Sequence, residues 1–242
     1  MDKEARNVGL VVNEDKTKYL TLERKQESRV GQNITMDTYN FEVVQAFKYL
    51  GSILNFTNDI EEEIKTRIAQ GNRSFYALKH LFKSSILSRA TKLGLYKTIV
   101  RPIVMYGCET WSLTTKQEED LNCFERKILR SICGPVQEPD GWRIRTNNEL
   151  SDIFGKNTIT AAIKSARLRW AGHVVRMDEE RTAKKALDRN FDGTRSRGRP
   201  RKRWLDCVVE DAKRLGVTNW RRMAEDRNEW RTFVESAKTR LG

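Results

Sequence analysis

The densest chemistry in the sequence is Ser196-Arg197-Gly198-Arg199-Pro200-Arg201-Lys202-Arg203-Trp204. Arg195, Arg197, Arg199, Arg201 and Lys202 place five cations within eight residues, and Arg203 follows at once. Like charges this close repel one another unless a polyanion screens them, and each cation that meets a phosphate releases a condensed counterion. An extended backbone around Gly198 and Pro200 would let the arginines enter a narrow minor groove. The same residues also read as a basic lead into a helix opening near Pro200, or as a nuclear targeting signal. A second cationic segment interleaves Arg167, Arg169 and Arg176 with Trp170 and His173. At helical spacing Arg169, His173 and Arg176 share a face able to track a phosphate backbone, while Trp170 falls on the apolar side.

Catalytic chemistry has few players. Two-metal nucleotidyl transfer needs clustered carboxylates, and the chain has no adjacent pair of aspartates. It carries no phosphate-cradling or dinucleotide-binding glycine motif. His80 and His173 are its two histidines, so proton transfer through imidazole has little support. Cys108, Cys123, Cys133 and Cys207 stand 15, 10 and 74 residues apart. That spacing lacks the close ligand pairs of structural zinc and predicts isolated thiols, with no metal site and no disulfide framework.

The charge is uneven. Of 242 residues, 46 are Lys or Arg and 33 are Asp or Glu, a net of +13. Residues 1–140 hold 21 cations against 19 anions, whereas residues 141–242 hold 25 against 14 and five of the six tryptophans. A cationic, tryptophan-rich segment suits nucleic acid, whose phosphates draw the cations and whose bases stack on aromatic rings. No apolar run approaches the ~20 residues of a membrane span. The N-terminus lacks the apolar core of a signal peptide, so the expected place is inside the cell, and the basic cluster read as a targeting signal makes it the nucleus.

The elements that must position these groups form an α+β chain, mostly helical. Gly9–Asn13 reads as a short strand, Asn13–Asp15 as a turn, and the alternating residues 16–22 as a second strand. A polar hairpin is expected around Gly31–Asn33, and a strand region over Phe41–Leu54 is broken by Gly51. These few strands look like the edge of a larger sheet. Helical spacing begins at Thr57, with Gly71 weakening or bending the first helix. Ser88 is placed to cap a second helix, which Pro102 should kink or break. Thr115 with Glu118 makes a capping box for a third, stopped at Gly134-Pro135. Residues 136–145 are the candidate boundary. Helices follow over 146–154 and 158–174, then a basic loop at 192–200, then one helix through Leu205–Leu215 and one through Trp220–Val234. Three domains result: 1–56, 57–135 and 136–242.

The ordered run of motifs carries a family resemblance. Gly9-Leu-Val-Val-Asn13 with Lys16-Thr17-Lys18, then Phe47-Lys48-Tyr49-Leu50-Gly51, resembles the closing palm motifs of non-LTR retrotransposon reverse transcriptases. Arg101-Pro102 and Tyr106-Gly-Cys-Glu-Thr-Trp111 resemble the region beyond the palm in RTE-like members, as do Arg169–Met177 and Arg197–Cys207. Gly198-Arg199-Pro200 is also similar to the core of an AT-hook. The family likeness implies that residues 1–56 end the palm and that Lys16 matches the palm lysine near the incoming nucleotide. Phe47, Lys48, Tyr49, Leu50 and Gly51 would belong to a primer-grip hairpin. Residues 57–135 would be a helical thumb meeting the template–primer through Arg67, Arg73, Lys79 and Lys83. The basic C-terminal region would bind RNA template, target DNA or a hybrid duplex. The Mg²⁺ of the full-length family enzymes depends on an aspartate box that this chain lacks, so a truncated, polymerase-inactive product is expected. A host-adopted DNA- or RNA-binding regulator, or an inactive pseudogene product, are the competing expectations.

Overall fold

Residues 6–21, 33–36, 38–189, 198 and 202–241 are described by a computed structural model of the chain. Small sheets near the N-terminus are followed by helices, so the fold is α+β and mostly helical, as the sequence predicts. It divides into two compact units, Met1–Glu63 and Ile64–Gly242.

In the first unit β1 (Lys18–Tyr19) runs parallel to β3 (Tyr39–Val43), and β2 (Asn33–Met36) pairs antiparallel on its other side. Lys18 lies opposite Glu42 and holds its carboxylate at 2.7 Å. A separate hairpin joins β4 (Ala46–Tyr49) to β5 (Ser52–Asn55). Its turn residues, Leu50 and Gly51, both have positive φ, 47° and 89°. Turns of that hand match the twist of the flanking strands. Glycine adopts the conformation freely, whereas a leucine there is strained by ~1–2 kcal/mol.

Two strand expectations fail here. Leu10–Asn13 has no regular structure, and Leu10 and Val11 are exposed, because no described strand pairs with them. The strand expected over 16–22 shrinks to Lys18–Tyr19. Asn13 takes the residues before it into a turn, its side chain accepting from the Lys16 N–H at 2.9 Å and its carbonyl from the Thr17 N–H at 3.0 Å. Of the polar hairpin expected at Gly31–Asn33, Asn33 opens β2; Gly31 and Gln32 lie outside the described residues.

The second unit is helical. Helix α1 (Glu61–Ala77) begins on three glutamates, which suit the positive end of its dipole. Gly71 does not break it. A Cβ at this position would lie 2.4 Å from Val104 Cγ2 and 2.8 Å from Phe124 Cζ, so the missing side chain lets neighbouring residues close in. After α2 (Lys79–Lys83), Ser88 caps α3 (Arg89–Leu95) by accepting from the Thr91 N–H. The helix continues without a break through a π turn, Tyr96–Val100, into α4 (Arg101–Val104). Arg101 donates to the Tyr96 carbonyl five residues back. The widened turn thereby carries the chain past Pro102, which has no N–H to give.

The capping box of α5 (Thr115–Cys133) is set one residue earlier than the sequence suggests. Thr114 accepts from the Gln117 N–H, and Gln117 returns a bond to the Thr114 N–H at 2.9 Å. Glu118, the alternative partner, is drawn instead to Lys164, 3.1 Å away. Gly134 ends the helix, and the Pro-containing stretch beyond it folds as a hairpin, β6 (Val136–Glu138) with β7 (Gly141–Arg143). Helices α6 (Asn147–Phe154) and α7 (Ile159–Val175) start on capping threonines, Thr146 and Thr158. Then come α8 (Thr182–Asp188) and α9 (Trp204–Arg214). The expected single last helix is two, α10 (Trp220–Glu225) and α11 (Arg227–Arg240). Asp226 accepts from the N–H groups of Asn228 and Glu229 and so starts the chain on a second helix.

Helix α7 is the axle of this unit. Ile159, Ile163, Leu168, Ala171 and Val174 are buried along it, and so are Thr160, Lys164, Ser165 and Arg167. A helix apolar or satisfied nearly all round must be packed on several sides. Leu168 and Ala171 share one buried cluster with Val208, Ala212, Trp220, Trp230, Val234 and Leu241. Gly172 makes the closest approach: a Cβ there would fall 2.0 Å from Trp230 Nε1.

Candidate nucleic-acid interface

The motif residues separate into those that hold the fold and those that face outward. Tyr106 to Trp111 forms a turn, with Cys108–Thr110 as one 3₁₀ turn entered through Gly107 at φ 73°. Bonded to it are α7, through Arg167, and the start of α9, through Trp204. Arg167 reaches the Trp111 carbonyl at 2.8 Å and the Asp211 carboxylate with Nε at 3.2 Å and with Nη2. The Trp204 indole donates to the Glu109 carbonyl at 2.7 Å. Three segments far apart in sequence are thus tied through Arg167, Asp211 and Trp204.

A second polar knot lies at the other end of α7. Glu125 accepts from the Tyr96 hydroxyl at 2.8 Å and from the N–H of Ile159, the first residue of α7, at 2.7 Å. Arg101 stands beside it, Nε to carboxylate 3.7 Å, and donates to the Asn157 carbonyl at 3.0 Å. Burial pushes the Glu125 carboxyl above its ordinary range, while Arg101 and the Tyr96 hydrogen bond pull it back. Tyr96 is raised further, by burial and then by the Glu125 charge. Asp211 is likewise raised by burial against the opposing pull of Arg167. Both knots are desolvated charge pairs, which fix geometry more than they add stability.

Two of the arginines expected to meet nucleic acid are therefore used inside the fold. Arg167 is buried, its guanidinium taken by Asp211 and Trp111. Arg67 is buried as well, with its guanidinium 4.6 Å from the Tyr106 ring centroid and bonded to Gln70. Neither presents a face to a phosphate.

The remaining expected cations are exposed. Arg73, Lys79 and Lys83 project from α1 and α2. Lys79 lies over the half-exposed Tyr76 ring at 5.4 Å, and Lys127 of α5 approaches the same ring at 5.8 Å. None of these four cations has an ion-pair partner among the described residues. Lys127 was not legible as a member of this group, because α1 and α5 come together only in the fold.

On α7 the outward strip carries exposed Arg169, His173 and Arg176 and half-buried Trp170. The Trp170 and His173 rings lie 5.4 Å apart, tilted by 52°. Trp170 is absent from the buried cluster, so it borders the surface rather than filling the core. Of the basic loop, Lys202 pairs with Glu210, and the Arg203 N–H donates to Asp206 at 3.0 Å. Gly198 has φ 99°. Arg195, Arg197, Arg199, Pro200 and Arg201 lie outside the described residues.

In the first unit Lys16 is exposed, and Lys48, Tyr49 and Leu50 are exposed around the turn of the β4–β5 hairpin, with Phe47 half-buried on β4. Among the described residues, no group of three or more His, Cys, Asp or Glu is placed to hold a metal ion. No described helix is long and apolar enough to cross a membrane.

The chain is similar to a Caenorhabditis elegans protein named as transposon-derived, at 28% identity over 244 residues that cover 96% of this chain and 85% of that one. That likeness points to a transposon origin. No protein-family model matches the chain, and no solved structure does.

Proposed function

We propose that the chain is the end of the palm, the thumb and the C-terminal region of an RTE-like non-LTR retrotransposon reverse transcriptase. Its work is to hold nucleic acid, with no polymerisation of its own. The observation that carries this reading is the pair Lys79 and Lys127, on α2 and α5, both near the Tyr76 ring of α1 and without an ion-pair partner among the described residues. Two ammonium groups sharing one exposed ring are kept close by the fold without an anion between them, an arrangement that a phosphate backbone would relieve. The transposon-derived relative is in keeping with this origin. The hairpin turn adds weight: a strained leucine at an exposed tip is the kind of departure that gathers at working sites. The absence of adjacent aspartates in the sequence supports the lack of nucleotidyl transfer.

The test has two arms. Fluorescence anisotropy with a labelled primer–template hybrid should show binding that weakens with salt. The pair Lys79→Ala and Lys127→Ala should reduce the salt slope by about 1.8, or ~0.9 for each lost phosphate contact. Salt-independent or absent binding would remove the reading. Primer extension with Mg²⁺ or Mn²⁺ should give no incorporation, and clear incorporation would overturn the claim that the chain does not polymerise.

A further inference from the structure

Helices α7 and α11 pack antiparallel, which sets their exposed residues side by side. Ser165 Oγ bonds to the Val234 carbonyl, the Trp230 indole bonds to the Leu168 carbonyl, and Arg176 bonds to the Ala224 carbonyl just before α11. Ascending α7 therefore means descending α11. By this register Arg176 and Arg227 fall at the same end of the seam; burial first, and then the Arg227 charge, lowers the Arg176 pKa. Further along, Arg169 and Arg231 both stand near Glu235, which Lys238 holds ionised by hydrogen bonds and to which these two arginines add their charge.

The result is two cationic rungs, Arg176 with Arg227 and Arg169 with Arg231, on either side of the tight Gly172–Trp230 crossing. Two anions lie by them: Glu235 is already bonded to Lys238, and Asp226, next to Arg227 in the chain, accepts from the N–H groups of Asn228 and Glu229. Arg169, Arg227 and Arg231 have no ion pair among the described residues. On α7 the rungs are about 10 Å apart, and on α11 about 6 Å, from the 1.5 Å rise of a helix. At the ~3.4 Å rise per nucleotide of a stacked strand, that separation is two to three nucleotides. The Trp170 and His173 rings lie on the same strip of α7, next to the rungs.

We infer that the α7–α11 seam is a binding track for a single polynucleotide strand, with phosphates on the two arginine rungs and an unpaired base against Trp170. The inference rests on the nucleic-acid reading above and deepens it. An unpaired base is specified because an aromatic ring can stack only on a base whose face is free. Arg227 and Arg231 were invisible to sequence reading, since they join the group only through the packing of α11 on α7.

The test is anisotropy of the whole chain with labelled oligo(U), oligo(dT) and a blunt duplex of equal length, across a salt series. The pair Arg227→Ala and Arg231→Ala should flatten the single-strand salt slope by about 1.4, at ~0.7 for each phosphate contact on a single strand. Trp170→Ala should weaken single-strand binding about 5- to 150-fold, the range of base–aromatic stacking, and should leave duplex binding unchanged. Lys156→Ala, an exposed cation in the loop before α7, should leave the slope alone, and thermal melts confirm that each variant folds. Comparing oligo(U) with oligo(dT) then assigns the strand as RNA or DNA.

An unchanged slope in the arginine pair, with wild-type binding intact, overturns the seam and leaves the broader reading standing. Loss confined to the duplex overturns the single-strand assignment. Wild-type protein that binds none of the three overturns both. If Trp170→Ala fails to fold, Trp170→Phe takes its place, and retained affinity with Phe but not with Arg227→Ala and Arg231→Ala supports the seam.

Discussion

Gly172→Ala is the sharpest test of the α7 packing. On an isolated helix this change stabilises, by about 1 kcal/mol, because alanine loses less backbone freedom. Here the new methyl would stand 2.0 Å from Trp230 Nε1 and 2.2 Å from Cδ1. Trp230 is buried and its indole bonds to the Leu168 carbonyl at 3.0 Å. It cannot swing away without losing that bond. Overpacking costs about 1–3 kcal/mol, and a buried donor and acceptor left unmatched cost about 1–3 kcal/mol more. Set against the propensity gain, the net is a loss of about 1–5 kcal/mol, centred near 3. For a unit of this size, each kcal/mol moves Tm by roughly 2–4 °C, so a fall of about 6–12 °C is expected. Differential scanning calorimetry on both variants measures it. Gly94→Ala is the internal control, since that glycine also lies in a helix but has no atom within 4 Å of the position a Cβ would occupy. It should raise Tm or leave it unchanged. If Gly172→Ala melts at or above the wild-type temperature, Gly172 is not a point of close contact and the seam built on that crossing loses its scaffold.

Arg167→Ala should lower stability by about 3–5 kcal/mol, because it leaves Asp211 buried and uncompensated; the double change with Asp211→Ala should recover part of that loss. Urea titrations of the four chains measure it, and a strictly additive cycle would show that the two charges do not act as a pair. The thiols should react unequally. Cys123 is exposed, whereas Cys108, Cys133 and Cys207 are buried and raised by burial, Cys108 to about 12. At pH 8 an aromatic disulfide reagent should therefore modify one thiol rapidly in native protein and four in guanidinium, and rapid native modification of two or more would contradict the burial of Cys108, Cys133 and Cys207.

What the sequence made legible was local. Ser88 and Thr158 announce their helices because a cap needs only its own next three residues. The register of Thr114 over Thr115 was not legible, because both threonines have a glutamine or glutamate three residues on. The choice falls to Lys164, 46 residues away, which draws Glu118 out of capping. Asp226 was read as part of one long helix for a similar reason: apolar spacing continues across it, and only the bonds to Asn228 and Glu229 reveal a restart. Among the candidate site residues, Arg169, His173 and Arg176 stand on one outward strip as their spacing predicts. Arg67 and Arg167, also expected at the interface, are buried. Charge alone does not say whether a guanidinium meets solvent, and what holds these two, the Tyr106 ring for Arg67 and Asp211 with the Trp111 carbonyl for Arg167, is brought up by packing. Lys127, Arg227 and Arg231 are the converse, exposed cations made neighbours of the others by helix–helix contact.

The placement of the tryptophans has a spectroscopic consequence. All six lie at or beyond residue 111, so residues 1–63, the sheet-bearing unit, hold none. Trp111, Trp220 and Trp230 are buried in the helical unit, while Trp142 stands 68% exposed on the β6–β7 hairpin. Emission excited at 295 nm, where tryptophan absorbs and tyrosine does not, therefore reports on the second unit alone, through a blue-shifted population that moves red on unfolding and a red component present from the start. The first unit is silent in that channel; its tyrosines, Tyr19, Tyr39 and Tyr49, absorb at shorter wavelength together with Tyr76, Tyr96 and Tyr106 of the second unit. Far-ultraviolet circular dichroism sees both units, so any gap between its melting curve and the tryptophan curve measures how independently the first unit unfolds.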